Sequence, residues 1–191
     1  MEQRVPREWL RFTYQDPRNI LVGLSGIAQT YPLHELRYQA RSLRTRELRK
    51  FGEGRQAALL CYGISQALGL DVTFALVERQ DFDLIARYEV DGEGRYVPVQ
   101  LKEWVPAHLT EPQPLQVELN KLKKYADAGD LVVAFHLNRD ERVVLSELSF
   151  PRTIKELWFF GASERSQSNW VLIGDLLNEQ PLAYEFAYPE A

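Results

Sequence analysis

The chain has 191 residues, is 45% hydrophobic and 26% charged, and carries a formal net charge of −4; that composition is globular and excludes an intrinsically disordered polymer. No stretch approaches the roughly eighteen apolar residues of a membrane span. The charged start MEQRVPREWLRF lacks a signal-peptide core, and the single Cys61 excludes an internal disulfide. The expectation is one domain in a reducing cytoplasm, with no membrane contact. The charge is uneven: residues 1–55 hold 11 Lys+Arg and 6 Asp+Glu, and residues 56–191 hold 12 and 21. That split permits a nucleic-acid surface at the N-terminal end and equally describes a solvated basic helix.

Residues 1–33 give no clean period. HELRYQARSLRTRELRKFG predicts a helix over 34–50, with Leu36, Ala40 and Leu43 on one stripe and Arg37, Arg41 and Arg44 on the neighbouring face. These arginines are the candidate nucleic-acid contacts. EGRQAALLCYGISQALGL predicts a buried helix ending near Gly69, and DVTFALVE a strand. DFDLIARYEV and RYVPVQLKEW read as two strands joined by a four-residue turn, DGEG. QVELNKLKKYADAG predicts a helix ending at Gly129, and DLVVAFHLN a buried strand. RVVLSEL, IKELWFF and NWVLIGDLL are apolar segments of undetermined type. The histidines, His34, His108 and His136, are too scattered for a zinc site. The implied organisation is an extension with a basic helix (1–50), a core (51–138) and a C-terminal extension of the sheet (139–191). The fold class is α/β, a mixed central sheet flanked by helices.

The hairpin carries the chemistry. Val97, Val99 and Leu101 share one parity of their strand; Gln100, Lys102 and Trp104 share the other. With a four-residue loop Val90 pairs with Arg95, which sets Asp83 opposite Lys102 and Ile85 opposite Gln100. A carboxylate, an amide oxygen and an ammonium then converge on one face, and a slip of the register by two preserves that face. Mg²⁺ or Mn²⁺ takes hard oxygen ligands, typically one or two carboxylates plus water and phosphate oxygens. The candidate metal ligands are Asp83, Gln100 and the backbone carbonyl of Leu101, and Lys102 is the candidate for offsetting charge on a phosphorane.

Asp83 followed by LIA, with VQLKEW carrying its QxK seventeen residues later, resembles the motif strands of the PD-(D/E)XK nuclease superfamily, in which Gln is a known substitute for the acidic member of the triplet. The resemblance spans about residues 51–138. It implies a restriction-endonuclease-like core of helix, three strands, helix and strand, and a metal-dependent endo- or exonuclease acting on DNA. The catalytic set it implies is Asp83, Gln100, Lys102 and Glu53. Glu53, in KFGEGRQAALL, matches a helix glutamate that stands behind the metal ligands. Lys121 and Tyr125, four apart on the later helix, match a polar-plus-Tyr pair, with Lys where Gln is usual; they join the candidate nucleic-acid contacts. No Pro precedes Asp83, and Asp81, on the same face, is an alternative ligand.

Two other functional classes stay open on the sequence. One is a catalytically inactive nucleic-acid-binding module of nuclease fold. The other is a protein-interaction subunit, as a homodimer or with another protein, resting on the acidic C-terminal half and the apolar LWFFG.

Overall fold

The computed structural model describes residues 5–31, 35, 37, 40, 42–77, 79, 81–109, 113–125 and 129–190. Its centre is a mixed seven-stranded sheet whose spatial order follows the chain: β1 (Thr73–Leu76), β2 (Leu84–Val90), β3 (Glu93–Trp104), β4 (Val132–Leu137), β5 (Glu156–Ala162), β6 (Asn169–Gly174) and β7 (Leu182–Ala187). The first three strands are antiparallel, β3, β4 and β5 are mutually parallel, and β6 and β7 return antiparallel. Helices α1 (Pro17–Thr30) and α2 (Arg49–Leu68) precede the sheet, and a short α3 (Leu115–Asn120) lies between β3 and β4. The sheet is therefore mixed and flanked by helices, as expected. Among the described residues no helix is long and apolar enough to cross a membrane.

Two apolar clusters sandwich the sheet. On one face Leu84, Ala86, Val99, Leu101, Val132, Ala134 and Phe160 pack with Leu21 of α1 and Ala57–Cys61 of α2. On the other, Trp104, Val133, Phe135, Leu157 and Phe159 pack with Leu115, Leu119, Leu122 and Tyr125. Central parallel strands are covered on both sides. That is why the parity of Gln100 and Trp104, expected to be the polar face, is buried as well.

Four expectations change. First, α1 was not legible as a periodic segment, although its start is written in the sequence. Asp16 caps it by accepting the Arg18 N–H at 2.8 Å, and Pro17 occupies the first turn. Second, 34–50 is not a continuous helix. Leu43 has φ of 57°, a left-handed conformation that interrupts α-helix, and Arg49 and Lys50 belong to α2 instead. Arg41, Leu36 and His34 lie outside the described residues. Third, the hairpin turn is two residues, not four. Asp91 and Gly92 both have positive φ, 53° and 78°, and Glu93 already pairs with Val90. An Asp-Gly pair is suited to such a turn because its twist matches that of the strands. The register is thus shifted by two: Ile85 lies opposite Pro98 and Tyr88 opposite Arg95. Fourth, the helix expected through 116–129 is α-helical for six residues and then tightens into a 3₁₀ turn at Lys121–Tyr125. Of the undetermined segments, IKELWFF and NWVLIGDLL supply β5 and β6, whereas RVVLSEL is irregular apart from a 3₁₀ turn at Leu145–Glu147.

Candidate functional site

Asp83 sits where β2 begins. Its N–H donates to the Val99 carbonyl at 2.9 Å and its carbonyl accepts the Val77 N–H at 2.9 Å, so both neighbouring chains fix its backbone. The β2–β3 ladder ends at Leu84–Val99. One step beyond, the Leu101 N–H has no β2 carbonyl to meet and donates to Asp83 Oδ2 at 2.7 Å. Gln100 Nε2 donates to the same oxygen and, at 3.2 Å, to the Leu101 carbonyl. Continuing the register sets Asp83 beside Gln100 rather than Lys102, on the face foreseen from parity.

Gln100 is only 6% exposed and needs partners for both ends of its amide. The second partner comes from 25 residues away: the Tyr125 hydroxyl donates to Gln100 Oε1 at 3.0 Å. In a 3₁₀ turn residues three apart eclipse. Leu122 and Tyr125 therefore share the buried side, and Lys121 and Lys124 share the exposed one. Tyr125, a candidate nucleic-acid contact on the sequence, is thus buried, with its hydroxyl turned to Gln100. It fixes the orientation of Gln100. The ammonium groups of Lys102 and Lys124 lie 5.8 and 4.9 Å from the centroid of its ring, within cation–π range.

The electrostatics centre on Asp83. Burial raises its pKa above the ordinary carboxylate range. The Leu101 N–H, the Lys102 ammonium and the Gln100 amide work in the opposite direction, and the nearby Glu53 charge raises it further. Glu53 lies in the second turn of α2 and ion-pairs with Arg49 at 2.8 Å. It acts on Asp83 through space.

Asp83, Gln100, Leu101, Lys102 and Tyr125 are thus brought together, with Glu53 in electrostatic reach. The remaining candidates are not part of this group. Arg44 ion-pairs with Glu103, which also accepts from Asn138 Nδ2 at 2.7 Å, on the opposite parity of β3. Arg37 is exposed. Lys121 holds both oxygens of Glu118, at 2.7 and 2.8 Å. Asp81 is exposed and takes no part in the hydrogen bonds around Gln100. Sequence reasoning missed Lys124; its signal is the three-residue spacing from Lys121 in a segment that tightens to 3₁₀. Cys61 is buried, and desolvation pushes its thiol up to about 12, so it offers no thiolate nucleophile. His136 is buried as well; desolvation, then Arg55 and Arg44, lower its pKa to about 3 and keep it neutral.

Among the described residues no three His, Cys, Asp or Glu side chains cluster as a metal site. The donors at Asp83 are nonetheless hard oxygens of the kind Mg²⁺ and Mn²⁺ take with few protein ligands. Both described hydrogen bonds to the carboxylate converge on Oδ2, which leaves the Oδ1 lone pairs for a cation. The Gln100 amide presents its donor, not its oxygen, to Asp83, because an ionised carboxylate only accepts. A cation held by Asp83 and Gln100 together requires that amide to turn over. The Tyr125 hydroxyl can serve either orientation, since it both donates and accepts.

No family model matches the chain, and no curated protein or solved structure matches it either.

Proposed function

We propose that the chain is a Mg²⁺- or Mn²⁺-dependent nuclease that hydrolyses DNA phosphodiester bonds on a restriction-endonuclease-like core of the PD-(D/E)XK type. The observation that carries the reading is the half-buried Asp83 carboxylate beside Gln100, the Leu101 carbonyl and Lys102 at the open end of one hairpin. The succession α2, β1, β2, β3, α3, β4 supports it, because it is the element order that the sequence motif implies. Asp83, Gln100 and the Leu101 carbonyl would hold the cation, with Glu53 behind them. When bound, the cation would supply Lewis acidity and a water of lowered pKa. Lys102 stabilises the charge that develops on the phosphorane and orients the attacking water. Gln100 in place of a carboxylate removes one negative charge from the ligand set, and Tyr125 holds its amide in place.

One observation favours a second reading, a catalytically silent nucleic-acid-binding module: the Gln100 amide already satisfies Asp83 with its donor. Single-turnover cleavage of DNA across a Mn²⁺ titration separates the two. The nuclease reading expects cutting that a chelator stops. Lys102→Ala should lower the rate about a hundredfold, as loss of a comparable electrostatic stabiliser does, without rescue by added metal. Asp83→Asn should lose activity and regain part of it in excess Mn²⁺. DNA binding without cleavage under either metal selects the silent module. A Lys102→Ala protein that cuts as fast as the parent removes the mechanism.

A further inference from the structure

The 3₁₀ turn at Lys121–Tyr125 arranges charge beside the Asp83–Gln100 cluster in a way the sequence motif does not specify. Eclipsing puts Lys121 and Lys124 on its exposed side. The two are not equivalent. Glu118, three residues before Lys121, takes that ammonium with both carboxylate oxygens, at 2.7 and 2.8 Å, and neutralises it. Lys124 meets an aromatic face instead, 4.9 Å from the Tyr125 centroid, and Lys102 from β3 approaches the same ring at 5.8 Å. Among the described residues neither Lys102 nor Lys124 forms an ion pair. Two cations without an ion pair among the described residues thus approach one ring whose hydroxyl is bonded to Gln100, Lys102 with the Asp83 carboxylate in electrostatic reach. A nucleic-acid strand carries one charge per roughly 3.4 Å of helix axis, so two cations that approach the same ring can be met by neighbouring phosphates of one strand.

We propose that Lys124 contacts a phosphate of a nucleic-acid strand next to the one at Lys102, and that this contact needs no metal. The inference rests on the nuclease-fold reading for the identity of the strand. It differs from that reading in assigning the contact to Lys124 rather than to Lys121. The lysine acts as a point charge, so the contact carries no base preference.

The test is binding alone, in chelator, so catalysis plays no part. Anisotropy of labelled single- and double-stranded DNA is measured across a KCl series for the parent, Lys124→Ala, Lys124→Arg and Arg95→Ala. Arg95 is paired with Glu93 at the turn end of the hairpin and serves as the control for a lost surface cation. Each phosphate contact contributes about 0.7 to 0.9 to the slope of log K against log salt. Lys124→Ala should flatten the slope by about that amount, with Lys124→Arg and Arg95→Ala at the parent value. If the parent binds and Lys124→Ala keeps the parent slope, the assignment of Lys124 is wrong while the nucleic-acid reading stands. A slope that flattens in Lys124→Arg as much as in Lys124→Ala also overturns it, since the charge is then not the cause. If the parent binds neither DNA at low salt in chelator, this inference falls, while the nuclease reading is decided separately by the Mn²⁺ cleavage titration.

Discussion

Gln100→Glu tests the site most directly, because it rebuilds the second carboxylate with nearly unchanged shape. In the parent, Gln100 Nε2 donates to Asp83 and Oε1 accepts from Tyr125, all within a buried cluster. The substitution removes a donor to a charged acceptor, about 1.5 to 3 kcal/mol. It also sets two carboxylates in contact, so the pair holds a proton well above the usual carboxylate range. A raised carboxyl pKa favours the folded state at low pH, and that advantage is lost as pH rises. The variant should therefore melt close to the parent near pH 4 and below it at pH 7.5. A net cost of about 2 to 4 kcal/mol corresponds to roughly 5 to 15 °C for a chain of this size. Divalent cation should reverse the deficit, since a ligand at a hundred times its Kd stabilises the folded state by about 2.7 kcal/mol. Thermal melts in chelator and in a Mn²⁺ series, at both pH values, are the assay. A variant that melts with the parent at pH 7.5 in chelator would mean that residue 100 does not face Asp83. A deficit that Mn²⁺ leaves untouched would refute the cation site, even if the contact is correct.

Asp83→Asn should raise the Tm at pH 7, because it removes a carboxylate whose pKa burial has raised. The sign follows from linkage: the parent loses stability relative to the variant as pH climbs from about 4 through the raised pKa, and the two converge below about pH 4. Melts across pH 3 to 8 check this, and a variant less stable at pH 7 contradicts it. Tyr125→Phe leaves Gln100 Oε1 buried without a donor, at about 1 to 3 kcal/mol. Denaturant unfolding should show that loss in the parent background and little of it in Gln100→Leu, where the acceptor is gone; equal losses in both would place the Tyr125 hydroxyl elsewhere.

The sequence by itself determined which residues share a face. Strand side chains alternate strictly, so Asp83, Gln100 and Lys102 fall on one side whichever even register the hairpin takes, and the two-residue shift at Asp91–Gly92 changed partners without changing faces. It also marked α2 and the first four strands, whereas β5 and β6 stood out only as apolar segments of undetermined type and β7 gave no signal. It determined less where local signals compete. The arginines at 37–44 have helical spacing, yet Leu43 turns left-handed, and Arg44 finds Glu103 through a contact 59 residues distant in sequence. Only the tertiary structure decided the chemistry at Gln100. Which end of that amide meets Asp83 depends on Tyr125, brought up by a 3₁₀ turn from beyond β3, and on the end of the β2–β3 ladder that frees the Leu101 N–H. Both are long-range hydrogen bonds, one between buried groups and one to the half-buried Asp83 carboxylate. Their partners are fixed by packing and desolvation, not by any pattern that a local stretch of sequence contains.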